Sequence, residues 1–123
     1  MTRSEPIIAV KNVPESSAWY QELLECKSAH GGDTFEILTD EDGTVILCLH
    51  KLGEHDHPTM VDPAITAGNG LILYIRVSDL NKIWGNAIKL KATIEGYPSI
   101  NPNSGREQFT LRDLDNYYLM ISA

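Results

Sequence analysis

The densest group of chemically capable side chains is the stretch HKLGEHDHP, where His50, His55 and His57 alternate with Glu54 and Asp56. Neutral imidazoles and carboxylates ligate divalent metals and move protons near neutral pH, and His-x-His can present two rings on one side. The spacing matches no standard zinc arrangement, and no second cluster accompanies it. By composition the stretch is a loop. A solvated His–Asp mixture is therefore the plain alternative to a metal site, or to a lid that supplies a general base.

Other catalytic patterns are missing. The serines sit in no nucleophile elbow, and neither Cys26 nor Cys48 stands directly beside a histidine that would lower its pKa. The glycines of GNG, Gly68 to Gly70, lead into no helix N-terminus, so they make no phosphate cradle. Both cysteines lie in apolar surroundings, LLECKS and ILCLH, and read as small core residues rather than a bridge.

The whole chain narrows the classes further. Its 123 residues are the size of one ordinary domain and can build a core without staples. Ten basic residues against seventeen acidic ones give a net charge of −7. Nucleic acid and anionic lipid both reward clustered Lys and Arg, so neither is expected as a partner. The start, MTRSEPIIAVKN, lacks a signal-peptide core, and no run approaches membrane-spanning length. A reduced, cytoplasmic protein is the expectation.

The elements follow from period and punctuation. An apolar strand over Pro6 to Lys11 leads through Asn12, a cap or turn residue, to the helix SSAWYQELLEC, with Trp19, Leu23 and Cys26 along one stripe. Short strands are expected at Lys27 to His30 and at Thr34 to Thr39. Asp42-Gly43 signals a hairpin with a primed turn, and a strand follows over Thr44 to Lys51. Leu52 to Gly70 reads as a linker. The plan then repeats: a strand from Leu71 to Val77, a helix from its cap Asp79 to Leu90, and a short strand around Thr93-Ile94. The polar stretch GYPSINPNSGRE reads as a loop, and two strands close the chain at Gln108 to Leu111 and Tyr117 to Ser122. Val10-Lys11-Asn12 matches Val77-Ser78-Asp79, and Asp42-Gly43 matches Asp115-Asn116. The prediction is an α+β fold of two βαβββ modules, residues 1–51 and 70–123 joined by loop 52–69, with helices on one face of curved mixed sheets.

Nearly the whole chain resembles the vicinal oxygen chelate superfamily, which holds glyoxalases, bleomycin-resistance proteins and extradiol dioxygenases. The marks are VKNVPESSAWYQELLE, where relatives often read V-x-D before a helix with Phe-Tyr, and RDLDNYYLMIS, similar to the family's D-P-D-G-aromatic turn. Asn12, Trp19-Tyr20, Leu114 and Asn116 are the departures. The resemblance implies a central cleft and a homodimer. It also implies that four inward positions, which carry a metal in catalytic relatives, fall on Glu5, Leu47, Ile72 and Met120. Leu and Ile have no lone pair and a thioether is a poor ligand for such ions, so no metal or other cofactor is expected.

Side chains two apart on a strand share a face. From those positions, Ile72 brings Tyr74 and Arg76 into the cleft, Met120 brings Tyr118 and Ser122, and Leu47 brings Val45 and Leu49. The expected ligand-binding set is Leu47, Leu49, Ile72, Tyr74, Arg76, Tyr118 and Met120, a mostly apolar pocket for a small organic molecule. Arg76 would meet a carboxylate or phosphate, and the tyrosines a planar ring. Alternatively, these side chains fill a core and Arg76 pairs with Asp79 or Glu107. An isomerase, lyase or dioxygenase using Glu5 and the His50–His57 segment is the second functional reading, and an interaction module without a ligand the third.

Overall fold

The computed structural model describes residues 1–54 and 57–123; His55 and Asp56, two members of the histidine group, lie outside the described residues. The chain divides into two compact units, Met1–Ala67 and Gly68–Ala123.

The first unit runs β1 (Ile7–Val10), α1 (Val13–Leu24), β2 (Lys27–His30), β3 (Phe35–Thr39) and β4 (Val45–Lys51), with strands in the order β1-β4-β3-β2. β1 lies parallel to β4; the other pairs are antiparallel. The helix starts at Val13, three residues before the expected start, because Asn12 caps it. Its side chain accepts a hydrogen bond from the Glu15 amide at 2.9 Å, and Pro14 sits in the first turn where no donor is needed. Buried Val13, Trp19, Tyr20 and Leu23 face the sheet, where Ile8, Val10, Leu38, Leu47 and Leu49 complete the core. One carboxyl group lies inside it. Glu36 is 4 % exposed, and its oxygens accept from Ser17 Oγ, Ser28 Oγ and the Ile37 amide, each at 2.9 Å. Desolvation is thus offset by three donors, one of them from the helix.

The second unit repeats the plan: β5 (Leu73–Arg76), α2 (Leu80–Lys89), β6 (Thr93–Ile100), β7 (Glu107–Arg112) and β8 (Tyr118–Ser122), in the order β5-β8-β7-β6. Asp79 caps α2 through the Lys82 amide at 3.2 Å. Leu80, Ile83 and Ala87 pack against Leu73, Phe109, Leu111, Leu119 and Ile121, and Trp84 meets the Phe109 ring edge-on at 5.1 Å. Each unit is an α+β layer, one helix on a four-stranded mixed sheet, as the sequence predicts.

Two local expectations fail. The stretch read as a loop from Gly96 opens as strand, since β6 continues through Tyr97-Pro98-Ser99 to Ile100. β6 is an edge strand, where a proline's missing donor faces outward at no cost to the ladder. The Asp42-Gly43 hairpin is also not a two-residue primed turn. Asp40 and Thr44 close it, with Asp40 N–H donating to Thr44 O at 2.8 Å. Gly43 alone among the linking residues has positive φ, +84°. The equivalent turn closes between Asp113 and Tyr117, with Asn116 at φ +71°.

Candidate functional site

The functional question falls on the sheet faces that turn away from the helices. In the second unit the register settles which residues these are. Tyr74 pairs with Met120 and Arg76 with Ser122 across β5 and β8, while Ser122, Met120 and Tyr118 pair with Gln108, Thr110 and Arg112 across β8 and β7. Directly paired residues point the same way. The face is therefore built of three cross-strand rows. Arg76, Ser122 and Gln108 form one; Tyr74, Met120 and Thr110 the next; Tyr118 and Arg112 the third. The opposite parity, Leu73, Phe109, Leu119 and Ile121, is the buried side beneath α2. Tyr74, Arg76, Tyr118 and Met120 thus share one face, and Ile72 stands just ahead of β5, 55 % exposed.

Three of the eight residues on this face were missed by the sequence reading. Gln108, Thr110 and Arg112 join it only through the β7–β8 pairing, and they make it more polar than expected. Arg112 is heavily engaged. Its Nε donates to Glu95 Oε1 at 2.7 Å and its Nη1 to Asn116 O at 3.1 Å, and its guanidinium lies 4.9 Å from the centre of the Tyr118 ring. Such a cation–π contact fixes the tyrosine. Arg76 is exposed and meets neither Asp79 nor Glu107; among the described residues it has no ion pair.

In the first unit the expected register is displaced by one residue. Leu47 and Met120 stand equally far past their turns, yet they do not point the same way. β4 carries an extra residue: Leu38 pairs with Leu47 but Thr39 pairs with Val45, leaving Ile46 as a bulge. The β7–β8 ladder has no such shift. Beyond the bulge Leu47 and Leu49 lie on the helix side. Leu49 pairs with Glu36, which is bonded to Ser17 of α1, and the two leucines are 1 % and 0 % exposed. Their assignment to the open face is corrected. Cys48 and His50 take those places, beside Ile7 and Ala9 of β1.

Cys48 is the residue of the first unit that corresponds to Met120. Burial and the nearby Glu5 carboxylate push its thiol pKa up. Glu5 is held by Arg3 at 2.9 Å. From the second unit the corresponding residues are Ile72 and Met120, which offer no suitable donor. Of these four residues, only Glu5 and Cys48 carry an atom that ligates such ions. Among the described residues no group of three or more His, Cys, Asp or Glu side chains is placed to hold an ion. The histidines instead form a ring cluster. His30 meets Phe35 at 5.8 Å, Phe35 meets His50 at 6.2 Å, and His57 meets His50 edge-on at 4.9 Å, which lays part of the 52–67 segment over the end of β4. His50 is buried, with Nδ1 2.9 Å from Lys51 O.

Comparison with known proteins bears on the fold. No protein-family model matches the chain, and no curated protein matches its sequence. Solved structures do match. A glyoxalase/bleomycin resistance protein/dioxygenase family enzyme from Burkholderia phytofirmans PsJN superposes with a TM-score of 0.76 at 18 % identity, over 94 % of this chain and 93 % of that one. TioX from Micromonospora sp. ML1 gives 0.74 at 16 %, covering 98 % of each chain. The bleomycin resistance determinant encoded on transposon Tn5 gives 0.69 at 15 %, over 99 % of this chain and 97 % of the other. The chain has the fold of the vicinal oxygen chelate superfamily. Within that fold its likeness extends to a bleomycin-resistance structure.

Proposed function

We propose that this protein is a metal-independent binder of a small organic molecule, held on the helix-free face of the second unit by Ile72, Tyr74, Arg76, Tyr118 and Met120. One observation carries the reading. Tyr74 and Ile72 are 46 % and 55 % exposed on a face that also holds Arg76, although a folded chain gains by burying such side chains. A face meant only as core would be closed. Apolar bodies with a few placed polar groups are what a small-molecule site requires. The likeness to a bleomycin-resistance structure supports sequestration, which needs burial and complementarity but no chemistry.

The test is a thermal-shift screen of the purified protein against aromatic acids, antibiotics and aldehyde–thiol adducts, run beside elemental analysis. A ligand that binds only the folded chain raises its melting temperature by mass action. Saturable stabilisation without stoichiometric metal supports the proposal. A stoichiometric transition metal required for binding would overturn it in favour of an enzyme using Glu5 and the His50–His57 segment. The resemblance noted in the sequence also leads us to propose a homodimer, which sedimentation would test.

A further inference from the structure

Resting on that binding reading, we propose that the ligand is a planar aromatic monocarboxylate, its ring on Tyr74 and Met120 and its carboxylate on Arg76. The two arginines of the face differ in what they have left to give. Arg112 spends donors on Glu95 and on the Asn116 carbonyl and lays its plane against Tyr118. Arg76 makes no ion pair among the described residues. In its row stand Ser122 and Gln108, with no carboxylate. Ser122 Oγ donates to the Ala123 carbonyl, and Gln108 Oε1 accepts from Asn101. A guanidinium with its fork open is a two-pronged receptor for one carboxylate.

The tyrosines divide in the same way. Arg112 covers a face of Tyr118, whereas Tyr74 is half exposed and stands directly beside Met120 in the register. A thioether next to an aromatic ring makes a soft, polarisable platform for a flat molecule. Arg76 follows Tyr74 by two residues on the same face, roughly 7 Å along the strand, a distance that a side chain as long as arginine's can largely span. A ring on the platform therefore puts a directly attached carboxylate within the arginine's reach. A single open guanidinium suits a monoanion, and a multiply charged phosphate would meet more repulsion from a chain of net charge −7.

Titration calorimetry with naphthoate, naphthamide and naphthylmethylammonium decides the matter, using the wild-type chain, Arg76→Gln and Tyr74→Leu. Wild type binds naphthoate about tenfold to a hundredfold more tightly than naphthamide, the range expected of a charge-assisted hydrogen-bond pair. Arg76→Gln removes that preference, so that naphthoate binds no more tightly than naphthamide does. Tyr74→Leu weakens both probes by a similar factor. If naphthamide or the ammonium binds wild type as well as naphthoate does, or if Arg76→Gln keeps the preference, the inference falls while small-molecule binding stands. If no naphthyl probe binds, the inference falls too. The binding reading then stands or falls on the separate thermal-shift screen.

Discussion

At the scale of single residues, the buried polar groups make the sharpest predictions. Glu36 accepts from three donors, and Ser17 in turn accepts from Gln21 Nε2 at 2.8 Å, so the serine proton is directed toward the carboxyl. Glu36→Gln puts an amide donor against these donors and leaves one unsatisfied. A loss of about 1 to 3 kcal/mol is expected in urea unfolding; an unchanged midpoint would show that the network contributes nothing. The cysteines make a second case. Cys26 is unpaired, with Sγ 3.6 Å from the Tyr20 carbonyl, and burial is the main cause that pushes its pKa up to about 11. At neutral pH both thiols should react slowly with a disulfide reagent in the native state and quickly in denaturant. The sign in alkali follows. Between an ordinary thiol pKa near 9 and about 11, the unfolded chain loses this proton while the folded one keeps it. Stability therefore falls as pH rises through that window, and Cys26→Ser should flatten the fall.

At the scale of elements, the bulge at Ile46 separates two residues that the sequence treats alike. Leu47 and Ile72 were both expected to face a cleft, but Leu47 is 1 % exposed under α1 and Ile72 is 55 % exposed. Leu47→Ala should cost about 2 to 5 kcal/mol, as cavities in packed cores do. Ile72→Ala should stay within about 0.5 kcal/mol. Equal costs in a denaturant titration would refute the register described here. This is also where legibility ended. The caps Asn12 and Asp79, the helical stripes and the positive-φ residues Gly43 and Asn116 each leave a local mark in the chain, and all were readable. A bulge leaves none, because the extra residue in VILCLHK is an ordinary isoleucine and its neighbours are apolar on both parities. In the second unit, by contrast, counting from the turn worked because β8 has no insertion. Gln108, Thr110 and Arg112 were hidden for another reason: they join the open face through pairing with β8, which is a non-local fact.

At the scale of the whole molecule, charge and site pull in opposite directions. The chain carries −7 overall, while its open face presents Arg76. Screening resolves the conflict, since the Debye length shrinks from about 30 Å at 0.01 M salt to about 8 Å at 0.15 M. Distant acids fade from the balance and the guanidinium at contact does not. Naphthoate affinity should therefore improve between those salt concentrations, where a lone arginine–carboxylate pair would weaken. Calorimetry at the two ionic strengths reads this directly. The repeated order of elements was legible from end to end, yet identity between the halves is so low that the repeat could be aligned only by counting from landmarks. Counting assumes equal lengths, and β4 breaks that assumption. One consequence concerns mutation by deletion rather than replacement. Losing the single codon for Ile46 would make Leu38–Leu47 and Thr39–Val45 consecutive pairs, so the strand would keep both its hairpin and the side that each remaining residue takes. A residue lost from the middle of β8, where no bulge takes up the difference, would instead turn the rest of that strand over.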